Sequence, residues 1–155
     1  MAGTILITGS SRGIGRAIAV RLARDGYDIV VHCRERIAEA EAVAGEVRAL
    51  ERGARVLSFD VTDRTRCAEV LTADVEAHGA YYGVVANAGL ARDAAFPAMS
   101  GAEWDLVVRA NLDAFYNVLQ PLVMPMVRRR APGRIVTLAS VSGQVGNRGQ
   151  VNYSA

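Results

Sequence analysis

The stretch Thr8-Gly9-Ser10-Ser11-Arg12-Gly13-Ile14-Gly15 has the residue types and spacing to hold a phosphate bridge. A β-branched run from Thr4 to Thr8 leads into it, and a helical pattern of Ile14, Ala17, Ile18 and Leu22 leads out. A strand-to-helix junction presents free N–H groups and the positive end of a helix dipole, which together suit an anion. Gly9 suits a turn conformation closed to other residues. Gly13 carries no side chain to hold a ligand off the backbone, and Gly15 lets the helix pack close to the sheet. The spacing is GxxxGxG rather than GxGxxG. Gly9, Ser10, Ser11, Arg12, Gly13, Ile14 and Gly15 are therefore the residues expected against a dinucleotide. A purely structural tight turn is the alternative.

Charge at the end of the second strand selects between the two nicotinamide dinucleotides. An acid there bonds the ribose 2′-hydroxyl of NAD. The stretch reads Val30-Val31-His32-Cys33-Arg34, with no acid at its end. Arg34, with Arg12 approaching from the glycine loop, matches a 2′-phosphate, because a guanidinium fork fits phosphate geometry. Glu35 follows directly, but a side chain one residue on need not face the same way. The pattern favours NADP(H).

Strand-like and helix-like stretches alternate along the whole chain. Strands are expected at 4–8, 28–32, 56–59, 83–86 and 135–138. Helical spacing appears from Ile14 to Leu22, from Ala40 to Leu50 and from Cys67 to Val75, with Gly26, Gly53 and Gly79 after them. Ser100 and Glu103 form a capping box that opens a long helix. Trp104, Val108, Asn111, Leu112, Phe115, Val118, Leu119 and Leu122 lie on or beside one face of it, and Pro121 and Pro125 are expected to kink or end it. Ala131-Pro132-Gly133 reads as a turn, and Ser142 to Asn152 as a polar loop. Such alternation demands parallel strands with right-handed crossovers, an α/β doubly wound sheet covered on both faces. No sixth strand follows the polar loop, so the expectation is a domain truncated after its fifth strand, with an open edge.

Composition narrows the function classes. The 155 residues are 51% hydrophobic and 22% charged, enough for one domain with a real core. Lys and Arg number 18 against 16 Asp and Glu, a net charge of +2, too small to argue for nucleic acid. No apolar run approaches the ~20 residues of a membrane span. The N-terminus reads as the first strand rather than a signal peptide. Cys33 and Cys67 are far apart and read as reduced thiols, so a cytoplasmic location is expected. His32 and His78 are isolated, without metal-ligand spacing.

Further motifs carry a resemblance. Asp60-Val61 follows the third strand, Asn87-Ala88-Gly89 the fourth, Asn111 falls within the long helix, and Ser140 and Tyr153 follow the fifth strand. Taken with the glycine loop, their order and spacing resemble the short-chain dehydrogenase/reductase family over the entire chain. The resemblance implies a Rossmann-like NADP-binding domain, of which residues 1–155 are the N-terminal part. It implies cofactor contacts at Asp60, Val61, Asn87, Ala88, Gly89 and Tyr153, and catalytic roles for Asn111, Ser140 and Tyr153. In that reading Tyr153 protonates a substrate carbonyl, Ser140 holds its oxygen, and Asn111 bends its helix and helps anchor a water path.

The stretches Asn87 to Asp93 and Gly146 to Tyr153 are similar to those of 3-oxoacyl-(acyl carrier protein) reductases. This implies NADPH, a substrate linked to an acidic carrier protein, a homotetramer at full length, and carrier docking near Arg129 and Arg130, whose alternative is a solvated helix end. Ala86 departs from the pattern, standing where many relatives have Asn. The family's lysine, whose ammonium would activate the tyrosine phenol, falls four places after it, beyond Ala155. A short-chain reductase of another ketone and a truncated, non-catalytic dinucleotide-binding protein are the competing readings.

Overall fold

Alternating side chains from one sheet feed two separate cores. A computed structural model describes residues 3–155. Its strands are β1 Thr4–Ile7, β2 Asp28–Cys33, β3 Ala54–Ser58, β4 Gly83–Ala86 and β5 Arg134–Thr137. All neighbours pair in parallel, in the order β3-β2-β1-β4-β5. The helices are α1 Gly13–Arg24, α2 Ile37–Arg48, α3 Arg64–His78, α4 Gly101–Val108, α5 Ala114–Arg128, and the single turns α6 Ser142–Val145 and α7 Val151–Ser154. Successive strand residues point to opposite faces. Ile5, Ile7, Ile29 and Val31 pack with Ala19, Ala23, Val43 and Val47 of α1 and α2. Leu6, Val30 and Val84 pack with Leu71 of α3 and Val118, Leu119 and Leu122 of α5. Helices thus cover both faces of a doubly wound parallel sheet, which is why its central strands read as continuous apolar runs. Cys33 belongs to the first core and Cys67 to the second, so the sheet lies between the two free thiols.

The long helix differs from its sequence reading in two ways. First, Pro121 and Pro125 lie inside α5, which runs on to Arg128. A proline in a helix interior costs ~3 kcal/mol locally, and burial of Val118, Leu119 and Leu122 overrides it. Second, a π-helical segment, Arg109–Asp113, separates α4 from α5. Leu112 is 65% and Phe115 44% exposed where they border an open cavity, while Val107, Ala110 and Ala114 are buried. The 142–152 stretch, expected as loop, contains α6 and the start of α7.

One buried polar network ties β3 to α3. Arg55 donates to both oxygens of Asp74 at 2.7 and 2.6 Å, and the Tyr81 hydroxyl donates to Asp74 Oδ2 at 2.5 Å. Burial alone would raise the Asp74 carboxyl, but the bonds from Arg55 and Tyr81 overcome it and hold the carboxyl below its ordinary range. Asp74→Ala strands the Arg55 guanidinium and a buried phenol together. The expected loss is about 2–3 kcal/mol in urea unfolding; an unchanged midpoint would show the network to be neutral.

Candidate active site

The chain leaves the C-terminal ends of β1 and β4 in opposite directions, to β2 on one side and to β5 on the other. Such a switch point opens a crevice where ligands bind in doubly wound sheets. Thr8, just past β1, clamps it: its hydroxyl oxygen accepts from Asn87 N at 3.0 Å and Ala88 N at 2.9 Å. Asn87 Nδ2 donates in return to Thr8 O at 2.8 Å and Gly9 O at 3.2 Å. Asn87 therefore fixes the glycine loop from the neighbouring strand.

The loop has the shape an anion needs. Arg12 stands at the N-cap of α1 in extended conformation, with no side chain capping the helix and no acid in its first turn. Among the described residues, the opening N–H groups thus have no side-chain partner. Gly9 and Gly13 take left-handed φ values of +66° and +56°. A Cβ on Gly13 would meet nothing within 4 Å, so it faces open groove. A Cβ on Gly15 would stand 2.5 Å from Gly9 O and 2.6 Å from Asn87 Nδ2. The groove, with a volume of about 450 Å³, is lined by the glycine loop, by Cys33 and Arg34 at the end of β2, by Asp60 and Val61 after β3, and by Asn87, Ala88 and Gly89 after β4. A dinucleotide fits these features, since free amides face the space a phosphate bridge would fill.

Ser10 departs from its expected place. It is fully buried. Its hydroxyl donates to Ile7 O at 2.7 Å and accepts from His32 N at 2.9 Å, so it latches β1 to β2 instead of lining the groove. Arg34 departs in part. Glu35 does turn toward it, pairing at 3.2 Å, and Asp60 lies at 3.7 Å. The guanidinium remains more than half exposed at the groove wall.

A second cavity of about 750 Å³ continues from the first, and both are lined by Asn87, Ala88 and Gly89. Asn111, Ser140 and Tyr153 all line it. Asn111 Nδ2 donates to Leu90 O at 2.7 Å and to Val107 O at 2.8 Å, and Oδ1 accepts from Leu90 N at 3.3 Å. Both amide protons are thus taken by carbonyls, and one of those carbonyls lies in α4 at the edge of the π segment. Gly89 is where a Cβ would collide with Asn111 Oδ1. Asn111 therefore straps the post-β4 loop to the helix at its bend. Ser140 and Tyr153 are half-buried. Tyr153 is placed through its neighbour: Asn152, 2% exposed, donates to Arg92 O at 3.1 Å and accepts from Tyr153 N at 2.8 Å.

The profile of the family described as short chain dehydrogenase matches residues 3–155. This chain belongs to the short-chain dehydrogenase family. It is 70% identical over all 155 residues to the 3-oxoacyl-[acyl-carrier-protein] reductase FabG of Aggregatibacter actinomycetemcomitans, of which it covers 64%. It is 38% identical to the FabG of Staphylococcus aureus (strain Mu50), covering 63% of that protein. Among solved structures, a gluconate 5-dehydrogenase of Burkholderia cenocepacia J2315, in complex with NADP and tartrate, superposes with a TM-score of 0.90 at 31% identity, over 97% of this chain and 58% of that one. The chain thus spans under two thirds of the length of these relatives.

Other parts of this short-chain dehydrogenase lie outside their expected places. Arg129 and Arg130, expected as a docking base near the site, sit at the opposite end of β5 from Ser140. Arg134, which starts β5, bonds Tyr82 O at 3.0 Å, and the Arg129 guanidinium lies over the Tyr82 ring, 5.6 Å from its centroid. Helix α5 runs back along the sheet, so its basic end reaches the edge away from the cavities. Arg129 Nη2 also donates to Pro132 O at 2.5 Å. Sequence reasoning missed three anchors of the site. His32 bridges the glycine loop and the end of β3. Asn152 seats Tyr153. Buried Asn117 donates to Val61 O at 3.0 Å and accepts from Arg64 Nε at the same distance, fixing the post-β3 loop. A polar residue inside an apolar pattern was the available signal for His32 and Asn117, whereas Asn152 lies in a stretch read as a polar loop and offered none. Among the described residues, no group of His, Cys, Asp and Glu could hold a metal ion, and no helix is long and apolar enough to cross a membrane.

Proposed function

We infer that this chain is the N-terminal part of one NADP-binding domain, and that the whole protein reduces a 3-oxoacyl thioester carried on acyl carrier protein. One observation carries the reading: Ser140 and Tyr153 line a cavity continuous with the glycine-loop groove. The 70% identity to a 3-oxoacyl-(acyl carrier protein) reductase supports the substrate class. The cavity itself supports it too, since Trp104, Val108, Leu112 and Leu138 give it apolar walls suited to an acyl chain. β5 exposes Ile135 and Val136 at 46% and 50%, a surface that further chain would cover.

The glycine-loop amides would hold the phosphate bridge, while Arg34, with Arg12 approaching from the loop, would take the 2′-phosphate. When bound, the reduced nicotinamide supplies a hydride to the carbonyl carbon. Ser140 donates a hydrogen bond to the carbonyl oxygen and steadies the charge that develops there. Tyr153 gives that oxygen its proton. Asn111 and Asn152 act through others: one holds the post-β4 loop, the other holds Tyr153. The carrier-linked thioester enters from the Ser140 side, far from Arg129 and Arg130. Tyr116, Val123 and Val127, exposed at helical spacing along α5, offer a surface for the proposed homotetramer.

Cofactor choice is tested at Arg34. Loss of a guanidinium–phosphate pair weakens binding by about 1.5–3 kcal/mol. Arg34→Ala is therefore expected to weaken NADPH about ten- to a hundredfold and leave NADH within about threefold, measured by fluorescence titration. The nearby Glu35 and Asp60, freed of their partner, would add to the loss. Equal responses of the two cofactors would refute the 2′-phosphate assignment.

A further inference from the structure

The element that shapes the phosphate-binding loop lies on the neighbouring strand. His32 is 2% exposed, in β2, with no titratable partner in bonding contact. Its Nδ1 accepts from the Gly9 N–H at 3.0 Å, and its Nε2 lies 3.0 Å from Phe59 O. A carbonyl only accepts and an N–H only donates, so both contacts are satisfied together by one form alone: the neutral ring with its proton on Nε2. The ring also lies on Phe59, with centroids 4.2 Å apart. Its backbone adds two bonds to the same loop, from Ser10 N to His32 O at 2.9 Å and from His32 N to Ser10 Oγ at 2.9 Å. The side chain thus fixes the direction of the first amide of the glycine loop, at the residue whose φ is +66°.

We propose that His32 is a positioning residue for the dinucleotide: as a neutral acceptor it orients the Gly9 peptide and thereby the loop that receives the phosphate bridge. The proposal rests on the groove being a dinucleotide site. A ring protonated on both nitrogens would face the Gly9 N–H with another N–H and push the loop away. Burial opposes that charge and holds the imidazolium down to about 4, against the Phe59 carbonyl and the Asp60 carboxylate, which favour it. Asp60 after β3, Arg34, Glu35 and Arg36 beyond β2 and Arg12 in the loop are the charged groups around the same groove.

Two substitutions separate positioning from packing. In His32→Asn the side-chain oxygen can occupy the place of Nδ1 and still accept from Gly9. In His32→Gln the amide reaches toward Phe59 and leaves Gly9 N–H without its acceptor. His32→Gln is expected to weaken NADPH and NADH alike by about tenfold or more, the loss of one buried hydrogen bond. His32→Asn, although it too removes the ring, should stay within about threefold of wild type. Equal affinities for the two variants, or a loss confined to NADPH, overturn the proposal. Wild-type protein that binds neither dinucleotide overturns the groove reading instead. A readout free of substitution is the protonation state of the His32 ring itself. Ring ¹⁵N shifts at about pH 6, below the ordinary histidine pKa, are expected to show the His32 ring neutral with its proton on Nε2, identified by a shift change on adding NADPH. A doubly protonated His32 under those conditions overturns the proposal even if no variant folds.

Discussion

Tyr153→Phe is expected to lower turnover of an acetoacetyl thioester about a thousandfold in the whole protein, within the range general acid catalysis contributes, while NADPH affinity changes less than about twofold. The substitution removes one hydroxyl and nothing that positions the ring. Tyr153 is held by its own N–H on Asn152, and Asn152 is held by the Arg92 carbonyl. The phenylalanine ring therefore keeps its place while the carbonyl oxygen loses its proton donor. Ser140→Ala should cost about a hundredfold, because it removes one donor to the developing oxyanion. Steady-state rates and cofactor titration on the same preparations separate the two effects. A Tyr153→Phe enzyme within tenfold of wild type would remove the phenol from the chemistry, and with it the reading of the second cavity as a reaction site.

Local patterning carried much of the fold. Strands and helices appear where apolar runs and helical spacing put them, because both faces of the sheet are buried and few other patterns can satisfy that. Errors fall where a distant partner decides. β5 begins at Arg134 because Arg134 N bonds Tyr82 O across the sheet. Pro121 and Pro125 stay helical because α5 buries its apolar side against α3 and the sheet. The π segment was invisible, since it depends on Asn111 taking the Val107 carbonyl and reaching Leu90 at once.

The site shows the same division. The glycines could be placed from their spacing, because a backbone constraint is a property of the residue itself. Ser10 and His32 could not be sorted by type: the serine sits in a ligand-binding motif yet is latched in the interior, while the histidine sits in a strand yet governs the loop. Their roles come from bonds between residues 22 and 23 apart in the chain, which no local window contains.

Gly15→Ala is expected to lose both stability and cofactor. The added methyl would stand 2.5 Å from Gly9 O, 2.6 Å from Asn87 Nδ2 and 2.8 Å from Ser10 Cα. None of these is the free end of a flexible side chain. Asn87 is held on both Thr8 O and Gly9 O, and Ser10 is latched to His32. The start of α1 must move off the sheet or the Asn87 clamp must break, and overpacking of this kind costs about 1–3 kcal/mol. Either response displaces the amides that face the groove, so NADPH and NADH should both weaken by about a hundredfold, equivalent to ~2.7 kcal/mol. Two other glycines calibrate the result. Gly13→Ala meets no atom within 4 Å but carries φ +56°, so it should cost ~1 kcal/mol of strain and place its methyl in the groove, harming affinity more than stability. Gly45→Ala, in the exposed interior of α2 and also free of neighbours, should stabilise by about 0.5–1 kcal/mol and leave binding unchanged. Should Gly15→Ala unfold at the wild-type midpoint and bind NADPH normally, helix α1 would not be seated on the β1–β4 clamp, and the route from loop geometry to cofactor would fail at its first step.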